Sequence, residues 1–102
     1  MTQPYFDILE SRDQGELRLS LRGELDFAST RVLDDRLTRL RAKKRAVRLD
    51  LSELEFIDST GLHLLIRCLG DARSNGWSLV IEPEVSPTVQ RLFKLVRFDP
   101  FR

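Results

Sequence analysis

The sequence predicts an α/β domain in which a small mixed β-sheet has helices packed on one face. Two patterns carry that expectation. Short segments alternate strictly between apolar and polar residues, and amphipathic stretches at helical spacing interleave with them. The length supports it, because 102 residues fit one domain, spanning residues 1–102, that can bury a core of its own.

The clearest strand covers residues 16–22, where Leu17, Leu19 and Leu21 fall on one face and Arg18, Ser20 and Arg22 on the other. A weaker strand at Phe6-Asp7-Ile8 precedes it. The turn-rich segment 11–15 joins the two as a hairpin. Val47-Arg48-Leu49-Asp50-Leu51 alternates again, and Trp77-Ser78-Leu79-Val80-Ile81 reads as a short apolar strand.

Three helices fall between and after these strands. The first starts near Ser29, an N-cap residue type, with Val32, Leu33, Leu37 and Leu40 on one side. The second follows Asp58-Ser59 and sets Leu62, Leu65, Ile66 and Leu69 at i, i+3, i+4 and i+7. Gly70 and Asn75-Gly76 bracket its end, with Gly76 suited to a left-handed position. The third opens on Ser86-Pro87, with proline where its missing N–H costs nothing, and carries Val89, Leu92, Phe93 and Val96. The order is β-β-α-β-α-β-α. Right-handed crossovers place successive helices on the same side of a sheet whose strands are added in one direction.

Composition removes several classes of function. With 17 Lys plus Arg against 16 Asp plus Glu, the net charge of +1 lacks the strongly basic balance of a duplex binder. One cysteine, Cys68, excludes a disulfide framework and a cysteine zinc site. No apolar run reaches the length of a spanning helix, and residues 1–4 have no signal-peptide pattern. The expectation is a cytoplasmic globule that is not an enzyme, needs no cofactor or metal, binds neither nucleic acid nor membrane, and is a monomer when free.

The segment 54–62 draws most interest. It is expected to leave a strand, cross a short loop and enter the second helix. There Asp58 or Ser59 can cap N–H groups that lack partners within the helix. Gly61 leaves room for another backbone to approach. A hydroxyl here sits on the rim of the sheet, facing whatever docks. Two readings stay open locally: an ordinary helix start, or an exposed functional hydroxyl.

The wider pattern resembles the STAS domain family. Gly23-Glu24-Leu25-Asp26 before a capped helix carries the likeness. So do Leu49-Asp50-Leu51-Ser52 leading to Phe56-Ile57-Asp58-Ser59-Thr60-Gly61-Leu62, and Ser86-Pro87 before the last helix. In length and motif the chain is similar to the bacterial anti-sigma factor antagonists. That resemblance implies the STAS fold and a partner-switching role. The unphosphorylated form binds an anti-sigma factor that is also a serine kinase and releases the sigma factor. Phosphorylation switches binding off, and a PP2C-type phosphatase resets it. Carried over by motif, the phosphoacceptor is Ser59, with Thr60 the second choice, and Asp26 and Asp58 match acidic positions near the docking surface. Gly61, His63, Leu64 and Arg67 complete the expected partner-binding set, with Leu64 partly exposed at the edge of the core arc. His63 departs from the family pattern, which has a small residue there. The rival implied by the same resemblance is a non-switching STAS subunit of a lipid-transport or stress-signalling assembly.

His63 lies four residues after Ser59, which raises a serine hydrolase, but no Gly-x-Ser-x-Gly elbow or orienting third residue accompanies the pair. One His, one Cys and scattered carboxylates form no metal-ligand set. Cys68 reads as a small core residue, and Trp77 as core edge rather than a ligand platform. The basic run Arg39, Arg41, Lys43, Lys44 and Arg45 falls at a helix C-terminus, where cations complement the dipole.

Overall fold

The alternation that marks residues 16–22 continues further along the chain, to Leu25. A computed structural model describes residues 5–101 and shows β1 (Phe6–Asp13), β2 (Glu16–Leu25), α1 (Thr30–Ala42), β3 (Val47–Ile57), α2 (Ser59–Asn75), β4 (Leu79–Val85) and α3 (Pro87–Leu95). Residues 1–4, where a signal-peptide pattern is lacking in the sequence, lie outside the described residues. The sheet has the order β1-β2-β3-β4, with β1 antiparallel to β2 and the other pairs parallel. That is the expected mixed sheet, in the expected element order. Gln14 and Gly15 have φ of 53° and 84°, the twist a two-residue hairpin turn requires.

One face of the sheet is dry. Leu19, Leu21 and Leu25 of β2 and Leu49, Leu51 and Leu54 of β3 are fully buried under Leu33, Leu65 and Val89 of the helices. Each buried leucine contributes about 1.5–3 kcal/mol of transfer free energy. The opposite face carries polar groups that pair across strands, with Arg18 on β2 reaching Glu82 on β4 and Ser20 Oγ donating to Asp50 at 3.1 Å. Helix α2 ends as expected, with Gly76 at φ 66°.

Five details differ from the sequence expectation. First, β3 does not stop at Leu51. It continues through a register shift to Ile57, so residues 54–57 are strand rather than loop. Second, Val32 is exposed on α1, and Val96 lies just past α3 and is also exposed. Third, Ser29 and Ser86 stand at N-cap positions but make no capping bond. Each is buried and donates to a strand carbonyl instead, Ser29 to Glu24 O and Ser86 to Leu54 O. Fourth, Trp77 is core edge as expected but precedes β4, its Nε1 donating to Arg45 O at 2.6 Å. Fifth, the core arc of α2 is rotated. Leu64 is 4% exposed and Ile66 is 40% exposed, the reverse of the expected placement. The buried arc centres on Leu65 and Ala72, with Gly61 and Cys68 beside them. These small residues let the helix settle closest to the sheet on that side.

Candidate functional site

The rim where β2 and β3 end brings together the residues singled out in the sequence. β2 runs into a turn over residues 26–29 that is fixed from inside. Asp26 Oδ1 accepts from the backbone N–H groups of Ala28 at 3.0 Å and Ser29 at 3.1 Å. Ser29 Oγ accepts from Asp26 N at 2.9 Å and donates to Glu24 O at 2.8 Å. The turn thereby holds Phe27 outward, 80% exposed. Asp26, expected near the docking surface, is half-buried and engaged in shaping this turn.

Asp58 ties that turn to α2. Its Oδ2 accepts from Phe27 N at 3.0 Å, while Oδ1 accepts from Gly61 N at 3.0 Å and from the Thr60 hydroxyl. The Gly61 bond is a helix N-cap, and a further bond from Asp58 N to Leu25 O at 3.2 Å continues the strand pairing. Burial would raise the carboxyl pKa, but the donors from Thr60, Gly61 and Phe27 outweigh it and hold Asp58 below its ordinary value. The carboxylate is therefore charged at neutral pH.

Ser59 is the first residue of α2 and is exposed. Among the described residues its hydroxyl has no hydrogen-bond partner. Thr60 differs, because its hydroxyl is donated to Asp58. Gly61 is buried and faces inward. A Cβ there would sit 2.6 Å from Leu25 O and 2.9 Å from Ile57 Cγ1. Its small size serves the contact between α2 and β2, which corrects the expectation of room for an outside backbone.

Beside this rim runs an open groove of about 870 Å³ between α1 and α2. Phe27, Arg31 and Asp35 line it from one side and Thr60, His63 and Ile66 from the other, with Leu64 on its wall. Arg67 is held across it by Asp34 at 3.2 Å. Of the residues expected to contact a partner, His63 and Arg67 are exposed here and Leu64 is not. Phe27 was missed in the sequence. Its only signal is an isolated aromatic between Asp26 and Ser29, outside both periodic runs.

Little here suits chemistry on a small molecule. Among the described residues no third group orients His63 toward Ser59, and the Asp58 carboxylate already accepts from Phe27, Thr60 and Gly61. Among the described residues no group of three or more His, Cys, Asp or Glu is placed to hold a metal ion. No described helix is long and apolar enough to cross a membrane. Cys68 is buried, and burial raises its thiol pKa.

A family profile described as "Mlab, STAS domain" matches residues 8–101. The chain belongs to the STAS domain family. The anti-sigma-B factor antagonist of Bacillus subtilis (strain 168) is 27% identical over 84 residues, 82% of this chain and 76% of that protein. Among solved structures, an anti-sigma factor antagonist from Mycobacterium paratuberculosis superposes with a TM-score of 0.74 at 22% identity. The match covers 95% of this STAS chain and 86% of the other. The anti-sigma factor antagonist SpoIIAA in its unphosphorylated form gives a TM-score of 0.74 at 18% identity, over 93% of this chain and 84% of that one. At these identities the structural likeness establishes the STAS fold.

Proposed function

We propose that this chain is an anti-sigma factor antagonist, a single STAS domain that binds an anti-sigma factor with serine-kinase activity and loses that partner when Ser59 is phosphorylated. The observation that carries the reading is the contrast between adjacent hydroxyls. Ser59 is exposed and unengaged, whereas Thr60 is committed to Asp58. A kinase can reach the first without dismantling the helix cap. The family match and the names of the relatives support the partner class. In this reading the chain is the phosphate acceptor and binder, and the catalysis belongs to its kinase and to a PP2C-type phosphatase.

The chemistry of the switch follows from the rim. The partner-facing surface combines Phe27, an aromatic anchor, with the edge of the groove at His63, Ile66 and Arg67. A phosphate on Ser59 adds about −1.5 to −2 charge directly beside the ionised Asp58. A surface shaped for a neutral serine then faces added bulk and a concentrated negative spot. Losing about 3 kcal/mol lowers affinity by roughly a hundredfold.

The test incubates the protein with a candidate anti-sigma factor kinase from the same cell and ATP, and reads intact mass and pull-down. Expected are one added phosphate, none on Ser59→Ala, and retained binding of Ser59→Ala. Binding that ignores phosphorylation would instead support a STAS subunit that docks without a switch, in a lipid-transport or stress-signalling assembly. Loss of binding in Ser59→Ala would show that the hydroxyl is itself part of the contact.

A further inference from the structure

We propose that the imidazole of His63 pairs with a phosphate carried on Ser59 and holds it, without covalent transfer, against the exposed face of α2, an inference that rests on Ser59 being the acceptor. Ser59 is the first residue of α2, and His63 follows four residues later in the same uninterrupted helix. Residues at this spacing are stacked neighbours, about 5–6 Å apart at Cβ. Helical side chains tilt toward the N-terminus, so a histidine covers the residue one turn before it. His63 thus lies on the same helix face as Ser59, one turn after it, and both are exposed.

The surrounding charges leave the imidazole as the group one turn away on the same face. Asp58 repels a phosphate on the N-terminal side and is itself held by donors from Phe27, Thr60 and Gly61. Arg67, next along the groove, is paired with Asp34 at 3.2 Å. From α1 the groups facing the groove beside His63 are Arg31, Asp34 and Asp35. Asp34 is paired with Arg67, and Arg31 and Asp35 lie on α1, across the groove from the helix that carries both Ser59 and His63. A phosphoserine loses its second proton near pH 6 and an imidazole titrates near 6.5. Each ionisation therefore favours the other, and the pair settles as imidazolium and phosphate dianion. His63 then acts as the clamp of the phosphorylated state, offsetting part of its charge in mildly acidic solution.

His63 is the sole histidine of the chain, so its ring resonances report the pair without assignment ambiguity. Phosphoserine is installed at position 59 during translation, which removes any dependence on a kinase. His63 is titrated by proton–carbon NMR and the phosphate by phosphorus NMR, in the serine form, the phosphoserine form and the phosphoserine form of His63→Gln. The expected result is a His63 midpoint higher in the phosphoserine form than in the serine form. The phosphate midpoint should be lower with His63 than with His63→Gln. An unchanged His63 midpoint, or a phosphate midpoint indifferent to His63→Gln, would overturn the clamp. Neither result bears on whether Ser59 is a kinase substrate, which the kinase incubation decides separately. Matching far-UV dichroism among the three proteins guards against a folding artefact.

Discussion

Replacing Gly61 with alanine tests whether the start of α2 is anchored by its contact with the end of β2. The new Cβ would lie 2.6 Å from Leu25 O and 2.9 Å from both Leu25 Cγ and Ile57 Cγ1. The carbonyl cannot simply retreat, because it also accepts the bond from Asp58 N at 3.2 Å. Overpacking of this kind costs about 1–3 kcal/mol, and a weakened Asp58–Leu25 bond adds about 1 kcal/mol. Against this stands the ordinary gain of about 1 kcal/mol for alanine over glycine in a helix. The net is a loss of about 1–3 kcal/mol. Gly70, on the same helix, supplies the internal control. Nothing lies within 4 Å of a Cβ built there, so Gly70→Ala should gain about 0.5–1 kcal/mol. The two variants then differ by about 1.5–4 kcal/mol. With an unfolding entropy of about 2.1 cal/mol/K per residue, that separates their Tm values by about 7–19 °C. Thermal and urea unfolding, followed by far-UV dichroism and Trp77 fluorescence, measures it. A Gly61→Ala protein as stable as Gly70→Ala would refute the idea that α2 is seated by backbone contact at this point.

Four further outcomes follow from the same geometry. Asp58 has a folded pKa below its unfolded value, so its contribution is present above about pH 4 and disappears as pH falls through the folded value; urea midpoints between pH 7 and 3 should show a shallower acid decline in Asp58→Asn. Part of that decline persists, because Asp50 is also lowered: burial opposes the shift, and bonds from Ser52 and Ser20 outweigh it. Phe27→Ala should leave Tm nearly unchanged, since Phe27 is 80% exposed, yet weaken capture of the anti-sigma factor tenfold or more, a drop of about 1.4 kcal/mol. Ser29→Ala strips several hydrogen bonds from the buried turn beneath Phe27 and should cost about 1–3 kcal/mol in urea unfolding. Cys68, buried and with a raised thiol pKa, should react with a thiol reagent only as fast as the protein opens, so addition of denaturant and not of base alone should accelerate labelling.

Most of the strand and helix pattern was legible because β2, β3 and the three helices bury one face, and burial writes its period into the residue order. β1 has no buried residue and was marked instead by the turn-rich segment that joins it to β2. What escaped depends on contacts between elements. The rotation of α2 is the plainest case. Leu62, Leu65, Ile66 and Leu69 form a convincing stripe, but the helix is pulled toward its small residues Gly61, Cys68 and Ala72. Side-chain size across the interface decides that rotation, and a hydrophobic count weighs every leucine and isoleucine alike. Ser29 and Ser86 show a second limit. Both sit where an N-cap belongs, yet each is buried against a strand carbonyl whose approach depends on tertiary contact alone. At the rim, Asp58 was visible as a cap, but its second oxygen reaches the Phe27 amide, 31 residues away, and no local pattern encodes that.

That second bond bears on how a single phosphate can alter binding without unfolding the domain. In the proposed switch, the helix cap and the turn beneath Phe27 share one carboxylate, and Ser59 shares neither of its bonds. A phosphate on Ser59 therefore has no native hydrogen bond to displace, and the helix N-terminus tolerates negative charge. Thr60 offers the opposite arrangement. Modifying its hydroxyl removes the donor to Asp58 and sets a dianion against the same oxygen that caps Gly61. The loss of the cap alone is worth about 1 kcal/mol, and like-charge repulsion adds to it. A modification at Thr60 would loosen the helix start and the Phe27 turn together, whereas one at Ser59 changes the surface while leaving its scaffold intact. The adjacent hydroxyls thus differ less in reach than in consequence, and the one suited to reversible switching is the one the fold does not use.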